Sequence, residues 1–244
     1  MTFDATHTVR SIVRNNPAAV GVFEGLHIDY CCGGDRTLED ACGELQLSPQ
    51  TVLAELEEAL RLPPIEEDCH WLTCPLGELA DHIVNTHHAF TRREMPVLAN
   101  MAEKVFARHR HTNPELGKLR ELVEALKGEL FIHMSKEEQV LFLALKALED
   151  CASRRDCLPT HCGYLLNPIR RMMEEHDDTG ELLKSIRGIT RNYQAPEVAC
   201  TTFRALYAGL KQMEEDLHRH IHLENNILFP RALELEKVLG AKVA

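Results

Sequence analysis

The sequence predicts an all-α protein, an up-down-up-down four-helix bundle preceded by a small helical domain. Long stretches rich in Leu, Glu, Ala, Lys and Arg place their apolar residues at helical spacing. No segment shows the strict alternation of a half-buried strand, and glycines and prolines separate the helical stretches. Short connections between long helices favour antiparallel neighbours, which indicates a bundle.

The glycines and prolines between the helical stretches also predict where the chain divides into domains. A small domain is expected over residues 1–65, with one helix from about Val9 to Phe23, another starting near Leu38 and a third after Ser48-Pro49. The segment 62–75 is interpreted as a linker, and residues 70–244 as the bundle. Its helical stretches are expected at about 75–107, 115–150, 166–191 and 196–238.

Composition narrows the class of protein. The 244 residues are 44% hydrophobic, 27% charged and 5% aromatic, which is typical of a soluble, helix-rich protein. The net charge of −11 disfavours nucleic acid and anionic membranes as partners. The chain has no apolar run of the ~18 residues that a membrane helix requires, and no secretory signal is recognised. The nine cysteines, an odd number, are interpreted as thiols in a reducing cytoplasm.

Two helical stretches contain the same motif, a histidine followed four residues later by a glutamate on the apolar face. His133 and Glu137 lie on one such face, whereas Glu138 is expected to point away; His220 and Glu224 lie on the other. Burying a histidine and a carboxylate is costly unless a partner compensates them, and a metal cation does so well. The alternative, a surface His–Glu contact in each helix, would stabilise by only a few tenths of a kcal/mol.

The other two long helices supply further histidines. His176 aligns with apolar residues of the third helix, and the two pairs make it a candidate ligand. In the first helix, periodicity leaves the choice between His87 and His88 open. Four histidines, two bridging glutamates and an oxo or hydroxo bridge would fill ten positions of two six-coordinate irons. Imidazole and carboxylate ligands suit iron, and manganese or mixed-metal occupancy stays open.

Motifs along most of the chain resemble the Repair of Iron Centers family, whose members restore damaged iron-sulfur clusters. The matching segments, in family order, are IDYCCGGDRTLEDAC, THHAFTRREMP, HMSKEEQVLF, EEHDDTGELL and HIHLENNILFPRAL. The resemblance implies a hemerythrin-like bundle that holds two iron ions. It also implies the ligand set His88, His133, Glu137, His176, His220 and Glu224, and so favours His88 over His87.

Cys31-Cys32-Gly33-Gly34 has two interpretations. The glycines could end a helix and turn the chain around two buried thiols. Alternatively, adjacent thiols could take electrons, accept iron or trap a nitrosyl group, and the resemblance favours this redox or iron-transfer role for Cys31 and Cys32. A zinc site at Cys151, Cys157, His161 and Cys162 is disfavoured, because their spacing fits no common zinc module.

The resemblance therefore implies a cytoplasmic stress-response protein that repairs iron-sulfur clusters. Its clients would be iron-sulfur proteins, to which it would supply iron. One alternative is a protein that binds or reduces nitric oxide. Another, from a different class, is a hemerythrin-like sensor or store for oxygen or nitric oxide. Whether the chain is an enzyme, and whether it forms a homodimer, stays open.

Overall fold

The computed structural model describes residues 3–16, 18–31, 33–59, 70–154 and 164–241. Helix dominates these residues, and no β-strand occurs among them; Thr8 and Thr37 form only an isolated β-bridge. The predicted all-α class is therefore confirmed. No helix in the described part of the chain combines the length and apolarity needed to span a bilayer.

Four short helices form the amino-terminal part: α1 (Val9–Asn15), α2 (Ala19–Gly25), α3 (Leu38–Glu44) and α4 (Pro49–Ala59). Thr8 and Thr37 cap α1 and α3, because each hydroxyl accepts a backbone N–H from the first turn. These helices bury a shared apolar core, with Ile12, Phe23 and Leu38 fully buried.

The prediction of one helix from Val9 to Phe23 is wrong. Asn16 adopts an extended conformation, with φ −153° and ψ 94°, and separates α1 from α2. Pro17 follows it in the sequence, and a proline disfavours the helical conformation of the residue before it. The chain therefore breaks the helix where the apolar spacing alone would continue it.

The remaining helices are α5 (Leu76–Ile83), α6 (Ala89–His109), α7 (Leu116–Lys136), α8 (Phe142–Ser153), α9 (Leu166–Ile189), α10 (Thr201–His222) and α11 (Phe229–Ala241). Three π-helical turns join pairs of them without a break: π1 (Val84–His88), π2 (Glu137–Leu141) and π3 (Leu223–Leu228). The result is four long helical stretches, as the sequence predicts, although the last begins at Thr201 rather than near residue 196.

The chain folds into two compact units. One comprises Met1–Ala80, Leu145–Asn167 and His218–Ala244, and the other comprises Asp81–Ala144 and Pro168–Leu217. Within the second unit, α6, α7, α9 and α10 contribute apolar side chains to one core. That core is the body of the bundle. The division into separate domains at 1–65 and 70–244 stays a prediction.

Candidate metal centre

Each of the three π turns carries one of the residues expected to bind metal. His88 ends π1, Glu137 begins π2 and Glu224 is the second residue of π3. A π turn accommodates an extra residue within a helix and therefore changes which side chains face inward; such turns occur frequently at functional sites. Here the three turns coincide with three of the six predicted ligands.

Among the described residues, the predicted ligands form two groups that could hold metal ions. The first contains His88, Glu137, His220 and Glu224, and the second contains His133, Glu137, His176 and Glu224. Within each group, one potential ligand atom per residue lies within 4.8 Å of the others. Both groups contain Glu137 and Glu224, so the arrangement suits two neighbouring cations that share two carboxylates.

Ring nitrogens and carboxylate oxygens approach one another closely in this cluster. His133 Nε2 lies 3.1 Å from Glu137 Oε1, and His220 Nε2 lies 3.2 Å from Glu224 Oε1. His88 Nε2 is 3.4 Å from Glu137 Oε2. Both glutamates are 0% exposed, and an isolated buried carboxylate is strongly disfavoured. A bound cation would compensate both charges.

The second group brings two imidazoles together. His176 Nε2 lies 3.0 Å from His133 Nε2, and both rings are buried. Two neutral imidazoles can share one proton at this distance, but two nitrogens directed at one position also suit a common metal ion. These nitrogens belong to the same group as the shared glutamates.

Glu138 orients His88 from outside the cluster. Its Oε1 lies 2.7 Å from His88 Nδ1 and also accepts a 2.6 Å hydrogen bond from Arg92 Nη1. Burial raises the pKa of this carboxyl group, but the hydrogen bonds from Arg92 and His88 outweigh it and lower the pKa. A carboxylate that accepts the outer N–H of a histidine fixes the ring and increases its basicity as a ligand. The expectation that Glu138 points away missed this role.

Glu175 performs the same task for His133. Its Oε2 lies 3.1 Å from His133 Nδ1, while Oε1 accepts hydrogen bonds from Lys136 and Arg171. Burial raises the pKa of Glu175, but the hydrogen bonds from Lys136 and His133 lower it overall. Helical periodicity does not single out Glu175, although it immediately precedes His176.

The structure separates the two candidate histidines of the first helix. His88 belongs to the first ligand group, whereas His87 Nδ1 lies 3.0 Å from Asp216 Oδ1 and belongs to neither group. Both rings are buried, so burial alone does not distinguish them.

Cys31 follows α2 in the chain, and Cys32 lies outside the described residues. Cys31 is fully buried, and its Sγ lies 3.3 Å from Asp29 Oδ1. The thiol can donate a hydrogen bond to that carboxylate.

The expectation that all cysteines are thiols is wrong at Cys151, which is disulfide-bonded. Cys42, Cys74 and Cys200 are free thiols. The other candidates for the disfavoured zinc site, Cys157, His161 and Cys162, lie outside the described residues.

A surface pocket of about 290 Å³ borders the second ligand group at His133. Its acidic lining residues are Glu129, Glu175 and Asp178, and its basic ones are Lys136 and Arg171. Burial raises the pKa of Glu129, and the carboxylates of Asp178 and Glu175 raise it further. A divalent cation entering this pocket would relieve the repulsion between these carboxylates.

Comparison with known proteins agrees with this geometry. Residues 79–232 match the hemerythrin HHE cation-binding domain, and residues 5–60 match ScdA_N, a domain of unknown function. The chain is 41% identical to the iron-sulfur cluster repair protein YtfE of Citrobacter koseri, across 89% of this chain and 92% of the relative. It is 40% identical to the protein of the same name from Enterobacter sp. strain 638, across 91% and 94%.

The Escherichia coli O157:H7 protein of that name is also 40% identical, across 89% of this chain and 92% of the relative. The matched domain and the buried histidine and glutamate groups together indicate a metal site. The chain belongs to the hemerythrin-like family of iron-sulfur cluster repair proteins.

Proposed function

We propose that this chain repairs iron-sulfur clusters damaged by nitrosative or oxidative stress, and that it does so by supplying iron from a di-iron centre. The observation that carries the proposal is the sharing of Glu137 and Glu224 by both ligand groups. Two buried carboxylates common to two histidine pairs are the arrangement expected of two bridged cations rather than of two independent sites.

The ligand assignment follows the two groups. His88 and His220 would hold one ion, His133 and His176 the other, and the two glutamates would bridge them. An oxo or hydroxo bridge would complete the centre. The imidazole and carboxylate donors suit iron, which would supply reversible one-electron chemistry and an exchangeable metal ion.

Residues around this centre would orient its ligands and line the adjacent pocket. Glu138 and Glu175 fix the tautomers and orientations of His88 and His133. The pocket beside His133 borders the second group, and its carboxylates would favour the passage of a cation.

The family relationship supports the choice of client. The relatives are named for iron-sulfur cluster repair, and they align with about 90% of this chain. We propose that the clients are iron-sulfur proteins of the cytoplasm that have lost iron, and that Cys31 and Cys32 assist in redox chemistry or iron transfer.

A cluster-restoration assay tests this function. Iron-loaded full-length protein is added anaerobically to an iron-sulfur protein previously damaged by nitric oxide, and recovery of cluster absorbance and client activity is followed. We expect recovery with the wild type and little with Glu224→Ala. Glu181→Gln, a change at an exposed glutamate of α9, serves as the matched control. Equal recovery from the Glu224→Ala variant and the wild type would reject the proposal.

Nitric oxide binding is the second candidate, because the pocket at His133 is large enough to admit a diatomic molecule. Under this alternative, nitric oxide or oxygen would be the small ligand of the centre. Incubating the reduced, iron-loaded protein with nitric oxide and measuring nitrous oxide distinguishes the two functions. Catalytic formation of nitrous oxide without client recovery would favour nitric oxide reduction over repair.

A further inference from the structure

Two buried asparagines follow the bridging glutamate in π3. Asn225 and Asn226 are 2% and 3% exposed, and a buried amide is costly unless its hydrogen bonds are satisfied. Asn225 Nδ2 donates to the backbone carbonyl of Cys31 across 3.3 Å, and Asn226 Nδ2 donates to that of Tyr30 across 3.2 Å. Both bonds reach the segment that carries the cysteine motif.

The π turn is enclosed by its surroundings, so three consecutive polar side chains can each reach a buried partner. All six residues of Leu223–Leu228 are buried. In a regular α-helix, successive side chains diverge by about 100° around the helix axis. The extra residue per turn of π3 reduces this divergence. The same turn thus presents Glu224 to the ligand groups and the asparagines to the cysteine segment.

The backbone N–H and carbonyl groups of Cys31 are both hydrogen-bonded to side chains. Its N–H donates to Asp29 Oδ1 across 3.1 Å, and its carbonyl accepts from Asn225 and, across 3.4 Å, from Arg10 Nη2. Because the asparagines donate to main-chain carbonyls, these hydrogen bonds fix the backbone of the segment that carries Cys31.

Aromatic contacts reinforce the attachment beside the asparagines. The Tyr30 ring packs edge-on against His222, with the ring centroids 5.4 Å apart. Asn226 Nδ2 also lies 2.9 Å from His222 Nδ1, so one amide group links that imidazole to the Tyr30 carbonyl.

We infer that Asn225 and Asn226 are positioning residues that tie Cys31 to the π turn carrying Glu224, so that metal binding and the accessibility of Cys31 are coupled. The inference rests on the proposed metal centre and goes beyond it, because it assigns a link between that centre and the cysteine motif. Coupling is reciprocal: if a cation at Glu224 stabilises the turn, it tightens the hold on Cys31, and loss of that hold weakens cation binding.

Alkylation of Cys31 tests the tie in the metal-free protein. Full-length protein carrying Cys32→Ser, alone or with Asn225→Leu and Asn226→Leu, is treated with iodoacetamide, and each cysteine is followed by peptide mass spectrometry. Loss of two hydrogen bonds should speed Cys31 alkylation about tenfold, equivalent to about 1.4 kcal/mol. Buried Cys42 should stay protected and exposed Cys200 should react as before. An unchanged Cys31 rate would overturn the inference.

A second variant distinguishes a local effect on Cys31 from global unfolding of the protein. Asn225→Leu alone removes the amide donor to the Cys31 carbonyl and keeps the hydrogen bond from Asn226 to Tyr30. If Cys42 becomes reactive in the double variant, the single variant decides: faster Cys31 alkylation with Cys42 protected supports the tie, and an unchanged rate rejects it.

Anaerobic loading with Fe²⁺ tests the coupling. In the Cys32→Ser background, iron should slow Cys31 alkylation further, whereas the double asparagine variant should not respond. The iron content of the same samples is measured. If the protein does not bind iron, the proposed centre is rejected. If it binds iron normally but iron does not change the rate of Cys31 alkylation, only the coupling is rejected. Equal protection in both proteins would indicate direct binding of iron by Cys31 and would also reject it.

Discussion

Glu138 Oε1 lies 2.7 Å from His88 Nδ1, on the side of the imidazole opposite the shared glutamates. This hydrogen bond leaves Nε2 of the ring directed toward Glu137. Glu138 is partly exposed and is itself held by Arg92. The orientation of a predicted ligand in this buried cluster is thus set by a partly exposed carboxylate.

Glu138→Gln should weaken metal binding without unfolding the bundle. The substitution removes the charge that increases the basicity of His88, and loss of such a partner typically lowers metal affinity about 10- to 100-fold. Competition with a chromophoric chelator measures the affinity. Glu94→Gln, which removes a glutamate paired with Arg93 on the surface of α6, should leave the affinity unchanged. Equal affinities for the two variants would contradict the role of Glu138.

The two ligand groups predict different losses for shared and unshared ligands. Glu224 belongs to both groups and His176 to one. Glu224→Ala should therefore lose most of both irons, whereas His176→Ala should retain roughly one iron per chain, because metal content follows the ligands that remain. Iron analysis of the purified variants measures this. If His176→Ala loses iron as completely as Glu224→Ala, the groups do not behave as two sites.

Helical periodicity was sufficient to predict that His133 and Glu137 share one helix face, and it was insufficient to choose a histidine in the first helix. His133 precedes π2 and Glu137 begins it, so their spacing is still that of an α-helix. His87 and His88 end π1, where the inserted residue changes the register. Both histidines are consequently buried, and a period of 3.6 residues cannot separate them.

The residues that support the ligands were not predictable from one sequence. Glu138 and Glu175 are acidic residues on helix faces that periodicity assigns to solvent, and only the fold brings them to His88 and His133. The carbonyls that accept from Asn225 and Asn226 belong to a segment about 195 residues away. Such long-range pairings leave no local pattern.

His87→Ala should reduce stability rather than metal content. The substitution removes a buried partner of Asp216, and loss of one partner of such a hydrogen bond costs about 1–3 kcal/mol in the free energy of unfolding. Chemical denaturation and iron analysis measure the two effects. His7→Ala removes a similar bond to Asp4 at an exposed site and should cost less than about 0.5 kcal/mol. Loss of iron from His87→Ala would contradict the assignment of His88.

Two helical glycines should respond oppositely to alanine. Gly128 in α7 has open space around an added Cβ, so Gly128→Ala should stabilise the protein by about 0.5–1 kcal/mol through helix propensity. In α10, a Cβ on Gly209 would lie 2.6 Å from Leu98 Cδ2. The displacement of Leu98 should cancel the gain in Gly209→Ala. Thermal unfolding compares the two, and equal stabilisation would show that Leu98 moves without cost.

The acidic pocket beside His133 should control how quickly iron leaves the protein. Glu129 and Asp178 line the pocket and are not members of either ligand group. Neutralising both, with Glu129→Gln and Asp178→Asn, should preserve iron content but slow transfer to an external chelator by roughly three- to tenfold, because charged clefts concentrate counter-ions. Stopped-flow absorbance measures the transfer rate.

The matched control neutralises Glu121 and Glu124, two exposed glutamates of α7, the helix that carries Glu129, and neither of them lines the pocket. Both double variants change the net charge equally, so a general electrostatic effect would slow both. A local effect should slow only the pocket variant. Salt adds an independent criterion, because screening should slow transfer from the wild type more than from the pocket variant. Equal rates for the pocket variant and the wild type would mean that iron leaves by another route.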